Sequence, residues 1–400
     1  MEHKGPLKGL KVLEMANVIA GPFCASLMAD YGADVIKIEM PEVGDPFRQL
    51  LPKHKGQSVR WATMGRNKRC VTLDLKSPQG RDLFLKLLKD ADCGIENFRP
   101  GTIEKWGLGY DIMKQVNPKV VLVRISGYGQ TGPYHNKVGF GTPATAYAGY
   151  TALQGYPDRA PVSPPVSLSD FMAGMYGFMG ALSAIYALQS GSTSKGQVVD
   201  VSLYEPLVRM EDEVISEYGI NGRIKPRMPI AKGSSSPSGT FQTLDHKWVI
   251  LVASTQKTWS RIPAAMGRPE LLDDPRFRTN QDRVDHDQEL LAIIEAWAAT
   301  LKMRELVAIL DEAGVPACPV NEVDDMFTDP QYTARESIVT VPHPDFGQVS
   351  MTNIFPLFSG TPCEIRHCGV PLGADNQSVY QSDLGLSQEE YSALMAAGVI

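Results

Sequence analysis

The chain has 400 residues, 43% hydrophobic and 21% charged, with a net charge of −6 at neutral pH. That length accommodates a large core in two or three domains, and the acidic balance argues against a general nucleic-acid binder. Six scattered cysteines without a C-x-x-C, and seven histidines without ligand spacing, fit a reducing cytoplasm, buried thiols and no structural metal.

From the N-terminus, Met1–Lys8 is polar and shows no signal-peptide pattern. Leu10–Ala16 is a short apolar strand, Ala20-Gly21-Pro22 opens a helix through Ala29, and Asp34–Glu39 is a second strand. The alternation repeats with a strand at Cys70–Leu75, a helix at Pro78–Lys89, a strand at Ala91–Glu96, a helix at Tyr110–Gln115 and a strand at Lys119–Ile125. Strand–helix–strand repeats of this kind predict an α/β, doubly wound, Rossmann-like domain.

Two features inside it attract a phosphate or nucleotide reading. Gly127–Gly132 (GYGQTG) matches G-x-G-x-x-G, but Pro133 and a polar stretch follow where a dinucleotide fingerprint needs a helix, and Glu39 lies upstream of it. It is read as a loop that needs close backbone approach. Between Asp45 and Asp74 there is no acid, while Arg48, Lys53, Lys55, Arg60, Arg66, Lys68 and Arg69 all fall there. That window is either a solvated loop or a small-molecule phosphate site.

Ser163–Gln189 is the most distinctive stretch. Prolines 164 and 165 lead into Asp170, and Phe171 to Gln189 then runs without a charge, long enough for a buried helix of roughly 28 Å. Ser169 or Asp170 is the expected N-cap, and the positive helix end favours an ionised carboxylate there. Such an aspartate is a plain cap or a nucleophile. The three glycines 174, 177 and 180, and the absence of a second such run, argue against a membrane span.

Further along, Gln197–Leu203 is a strand and Tyr204–Tyr218 helical. Asn221–Gly239, rich in Pro, Gly and Ser, is a loop and a domain boundary. Strands at Thr240–Thr243, Trp248–Ala253 and Ala317–Val320 alternate with helices at Thr258–Met266, Asp287–Ala299 and Met303–Ala313. The predicted division is a large domain at 1–222, a small α/β domain at 223–327 and a C-terminal segment at 328–400 with a helix at Gln388–Ala396. No G-x-S-x-G and no H-E-x-x-H occurs, so carboxylates, backbone donors and basic residues must carry any chemistry.

Over nearly its whole length the chain resembles the family III CoA-transferases, the CaiB/BaiF family. The resemblance rests on LKGLKVLEMANVIAGP, LMADYGADVIKIE, NKRCVTLDLKSPQG, IENFRPGTIEKWGLGY, SGYGQTGP, SDFMAGMYG and GQVVDVSLYE. DPQYTARESI, LVRM and KPRM look most like the branch acting on carnitine. The resemblance implies that CoA moves between small carboxylic acids through an aspartyl-CoA thioester on Asp170. Coenzyme A would then be a substrate moiety, with no permanent cofactor. It further implies CoA contacts at Val18, Ile19, Ala20, Leu73, Lys76, Asn97, Phe98, Lys105 and Lys137. Met40 stands where some members have a basic residue, and Lys232–Gly239 where relatives have a glycine-rich or variable loop. Members are interlocked homodimers whose large domain is completed by the C-terminal segment. Carnitine would need an aromatic or acidic site, for which Tyr204, Glu205, Tyr218 and Trp259 are available. A 2-methylacyl-CoA racemase shares the fold but places a His after a glycine where Phe140 follows Gly139, and Phe140 cannot exchange a proton. A non-catalytic acyl-CoA-binding protein is the rival from another class.

Overall fold

Residues 4–228, 235–253 and 255–400 are described by a computed structural model. Contacts divide the chain into two compact units. The first comprises residues 1–152, 163–224 and 334–400, and the second comprises 153–162 and 225–333.

The first unit is built on β1 (Lys11–Glu14), β2 (Asp34–Glu39), β3 (Arg69–Thr72), β4 (Cys93–Glu96), β5 (Val121–Ser126) and β6 (Val198–Ser202). Their order is β3-β2-β1-β4-β5-β6, and every pairing is parallel. This is the doubly wound order, whose direction reverses between β1 and β4. A crevice at the carboxyl ends of those two strands is where such sheets bind ligands.

Both faces of the sheet are covered, so its strands are apolar on both sides. Val12, Val35, Ile95, Val121 and Val123 join the core under α1 (Ala20–Asp30) and α6 (Leu168–Gln189). Their chain neighbours Leu13, Ile36 and Leu122 join the core under α2 (Pro78–Leu88) and α4 (Tyr110–Val116). Two shorter helices, α3 (Thr102–Lys105) and α5 (Gly141–Tyr147), follow β4 and β5. The start of α2 is fixed by Pro78 at its first position and by Ser77 Oγ accepting the Gly80 N–H.

Helix α6 is long and apolar enough to cross a membrane, but its small-residue face is packed on α1 and the sheet. A Cβ on Gly174 would stand 2.7 Å from the Ala20 carbonyl oxygen and 3.2 Å from Cys24 N, and one on Gly180 would stand 2.6 Å from Val199 Cγ1. The glycines therefore face inward and set how closely α6 approaches α1 and β6. Met175, Met179 and Tyr186 lie exposed on its other side.

The C-terminal segment covers the edge strand β3. Asp375 accepts the Cys70 N–H at 2.8 Å, Asn376 accepts the Thr72 N–H at 2.8 Å, and Tyr380 donates to the Thr72 carbonyl at 2.7 Å. Val379, Tyr380, Val399 and Ile400 complete the core beneath α2.

The second unit has an antiparallel sheet of β7 (Ser238–Gln242), β8 (Trp248–Val252) and β9 (Ala317–Pro319), ordered β9-β8-β7. It packs with α7 (Asp287–Ala298) and α8 (Met303–Glu312) around Trp259, Phe277, Leu290 and Leu306. The helix expected at Thr258–Met266 is instead two short turns, Gln256–Trp259 and Ile262–Ala265, with Pro263 in the first turn of the second. The excursion at 153–162 had no sequence signal. It belongs to this unit because Met228 N–H bonds to the Leu153 carbonyl at 3.0 Å and Gln154 bridges to Met228. The Lys232–Gly239 loop lies in part outside the described residues. From Ser236 onward it is tied down, with Ser236 Oγ donating to Asp287 and its carbonyl accepting from Arg283.

Four of the seven cations in the basic window are held in structural ion pairs. Arg48 pairs with Glu39, Arg66 with Asp30, Lys68 with Glu14, and Arg69 with both Asp34 and Asp383. Lys55 donates to the Asp345 carbonyl, and Arg60 stacks over Phe47. The acids lie outside the window in sequence, which is why composition alone left these cations free. Glu39, occupied by Arg48 and by the Asp45 N–H, is likewise unavailable to a ribose.

Candidate active site

The loop leaving β1 is held in an unusual shape. Val18 has φ of 68°, a left-handed conformation that a β-branched residue adopts only under constraint. The constraint is the Asp45 carboxylate, which accepts the Val18 N–H at 3.0 Å. Asp45 is held by Lys37 Nζ at 2.7 Å, Lys37 also pairs with Glu14 at 2.9 Å, and Glu14 pairs with Lys68 at 2.8 Å. All four side chains are fully buried. Burial opposes the Lys37 charge, but Glu14, Asp45 and Glu39 together push its pKa up. Burial likewise opposes the Asp45 charge, yet Lys37 and the Phe47 and Val18 N–H groups hold the carboxyl below its usual range.

Beside this loop, at the β1/β4 switch point, lies a cleft of about 230 Å³. Asn17, Glu39, Met40, Leu73, Lys76, Phe98 and Trp106 are among its lining residues. Asn97 lies outside the lining and holds Asn17 through a reciprocal pair, Asn97 Oδ1 accepting the Asn17 N–H and Nδ2 donating to the Asn17 carbonyl, each at 2.8 Å. Leu73, Lys76 and Phe98 thus meet in one place. Val18, Ile19 and Ala20 follow Asn17 directly, with the Ile19 and Ala20 side chains buried away in the core. None of the three is among the lining residues. Lys105 and Lys137 are exposed and not part of the lining, Lys137 lying over the Tyr134 ring at 3.3 Å.

Asp170 sits on the same edge of the sheet. It is not the N-cap, and neither is Ser169. The helix begins at Leu168 with Ser167 before it, so Asp170 occupies the third position of the first turn. Ser169 Oγ instead donates to the Gly141 carbonyl at 2.9 Å. The Asp170 carboxylate lies against the backbone of Gly141, where a Cβ would collide with Oδ2. No other side chain hydrogen-bonds or ion-pairs with it among the described residues. Burial raises its pKa to about 6, only partly offset by its own backbone N–H. Desolvation thus opposes the charge that the helix end favours, and the group is still mostly ionised at neutral pH. The Phe171 ring packs edge-on to Phe23 at 4.8 Å, in the cluster that holds Val18 and Ile19, so the two halves of the site share one packing group.

The family model described as CoA-transferase family III matches residues 7–376. The chain belongs to CoA-transferase family III. It is 39% identical over 396 residues to a succinyl-CoA–D-citramalate CoA-transferase of Chloroflexus aurantiacus, covering 99% of this chain and 98% of that one. It is 38% identical over 399 residues to the beta subunit of a succinyl-CoA–L-malate CoA-transferase of the same organism, with 99% and 98% covered. The crystal structure of a CaiB/BaiF family protein from Brucella suis superposes with a TM-score of 0.85 at 31% identity, over 95% of this chain and 99% of that one. The protein is therefore a CoA-transferase that works on acyl-CoA and carboxylic acids, with coenzyme A entering as part of its substrate.

Within this family setting, three of the residues considered for carnitine have local structural roles. Trp259 is fully buried in the core of the second unit. Tyr204 is packed in a ring cluster with Tyr128 and Tyr147, and Glu205 accepts from Ser202 Oγ. The glycine loop has a structural explanation. Gly127 and Gly139 press backbone to backbone, and Asp200 accepts the Gln130 N–H. Sequence reasoning missed Asn17, Asp45, Trp106 and Gly141, and set Met40 aside although it lines the cleft. For Gly141 the only available signal was a small residue between Phe140 and Thr142.

Proposed function

We propose that the protein transfers CoA from succinyl-CoA to a small 2-hydroxy dicarboxylic acid, with Asp170 as the covalent nucleophile. The acceptor class rests on the relatives named for citramalate and malate. Carnitine lacks comparable support, since those relatives are named for other acids. The observation that carries the mechanism is the Asp170 carboxylate, half-buried, unpaired and in contact with the Gly141 backbone.

In the proposed cycle an Asp170 oxygen attacks the thioester carbonyl, and the C–S bond breaks to release CoA thiolate and an acyl–aspartyl anhydride. The thiolate attacks Asp170 Cγ, expelling the first acid and leaving an aspartyl-CoA thioester. The incoming carboxylate attacks that thioester, and the two steps reverse to free the aspartate. Carboxylates exchange at nearly equal energy, so the chain needs no external activation. Each tetrahedral oxygen needs N–H donors, which the loop around Gly141 and the first turn of α6 supply. CoA occupies the cleft of Leu73, Lys76 and Phe98, with the backbone of Val18, Ile19 and Ala20 and the Asn97 loop beside it. Lys105 and Lys137 meet its phosphates as flexible surface cations. The 1–222 and 328–400 segments act together as the CoA-binding body. The chain acts as a homodimer, which covers the exposed Met175, Met179 and Tyr186 face.

The test is mass spectrometry after incubation with succinyl-CoA, followed by hydroxylamine. A CoA adduct on the Asp170 peptide, absent from Asp170→Asn and strongly reduced in Gly141→Ala, is the expected result. An adduct elsewhere, or transfer by Asp170→Asn at the wild-type rate, sinks the reading.

A further inference from the structure

One charge row, buried at Glu96 and Arg124 and exposed at Asp200, has no part in the cycle above. Glu96, Arg124 and Asp200 are register partners across β4, β5 and β6, so they leave one face of the sheet side by side. Arg124 Nε donates to Glu96 Oε1 at 2.6 Å. The second oxygen of Glu96 accepts the Phe98 N–H at 2.7 Å. The other arm of Arg124 forks onto Glu104 of α3, at 2.8 and 3.3 Å. Just beyond α3, Trp106 packs edge-on against Phe98 at 4.9 Å. On its far side Arg124 adjoins Asp200, whose carboxylate holds the Gln130 N–H of the glycine loop at 3.0 Å.

We propose that Arg124 is a positioning residue for acyl-CoA, fixing the Phe98–Trp106 wall of the cleft. The inference rests on the reading of this cleft as the CoA site. Arg124 does not line the cleft itself and touches no reacting atom. It acts through Glu96, which sets the backbone of Phe98, and through Glu104, which sets the approach to Trp106. The role requires a planar fork. A lysine ammonium is a point charge and cannot satisfy the single oxygen of Glu96 and both oxygens of Glu104 together. Burial sharpens the requirement, because removing Arg124 leaves Glu96 as an uncompensated buried carboxylate.

The test compares Arg124→Lys, Glu104→Gln and a cleft-filling Leu73→Trp by steady-state kinetics with succinyl-CoA and L-malate. CoA binding is measured by calorimetry in an Asp170→Asn background, so that turnover is not needed. Glu104 is well exposed, so its variant folds even if Arg124 variants do not. Arg124→Lys and Glu104→Gln are expected to raise KM for succinyl-CoA roughly five- to tenfold, with kcat and the KM for malate changed less than about twofold. CoA binding should weaken by the same factor. Unchanged CoA affinity in both variants overturns the proposal, as does a proportionate loss of kcat and both affinities with a lowered melting temperature. If Leu73→Trp fails to weaken CoA binding, the cleft reading itself falls and the proposal falls with it. If Leu73→Trp weakens binding and the Arg124 and Glu104 variants do not, only the proposal fails.

Discussion

Asp170 carries its charge against its surroundings. With a folded-state pKa near 6 and an ordinary value of 3.8, the native state binds a proton more tightly than the unfolded chain. The stability this gives is fully present below the unfolded value and is lost as pH rises through about 6. At neutral pH the ionised group therefore destabilises the fold by roughly 3 kcal/mol. Asp170→Asn should raise the melting temperature at about pH 7.5 while giving no such gain at about pH 4, measured by thermal denaturation. The same titration governs catalysis. A nucleophilic carboxylate must be ionised, so kcat/KM is expected to rise with pH up to an inflection near 6 and then level off. A profile flat from about pH 5 to 8 would contradict it. Val18 is a second strained group in the site, held in its left-handed conformation by Asp45. Neither the raised pKa nor the backbone strain could be read from sequence, since both depend on neighbours 27 to 29 residues away, Asp45 for Val18 and Gly141 for Asp170.

At the scale of elements, α6 shows what sequence pattern conveys and what it leaves out. Its length, lack of charge and glycine spacing were legible. The direction of the glycines was not, because an all-round apolar helix has no polar face to set its orientation. Contacts resolve it. Gly174 meets the α1 backbone, whereas Gly219, in the helix Asp212–Asn221, faces open space. Gly174→Ala should therefore lower stability by about 1–3 kcal/mol through forced separation of α6 from α1. Gly219→Ala should instead raise it by about 0.5–1 kcal/mol through helix propensity. Chemical denaturation of the two variants checks both signs together. The strands were easier to read than the loops between them. Strands such as β5 (VLVRIS) are rich in β-branched residues, while the fate of Arg48, Arg66, Lys68 and Arg69 was set by acids on other strands and helices.

At the scale of the molecule, the doubly wound class of the sheet followed from the repeated strand–helix–strand pattern, but the closure of its edge did not. Asp375 and Asn376 carry no periodic signal, and their hydrogen bonds to Cys70 and Thr72 span more than 300 residues. Asn376→Ala removes the acceptor for the buried Thr72 N–H and the donor to its hydroxyl. The loss should be about 2 kcal/mol of unfolding free energy, read as a lowered urea midpoint with an unchanged slope.

That closure also has a consequence in time. Residues 69–72 leave the ribosome long before residues 375–380, and Thr72 waits 304 residues for Asn376. At roughly 5–20 residues per second, the interval is on the order of 15–60 s. Throughout it the nascent sheet has one bare edge, open to strand pairing with any neighbouring chain. The protein's exposure to misassembly is therefore set less by its finished stability than by the rate at which the 304 residues from Thr72 to Asn376 are made.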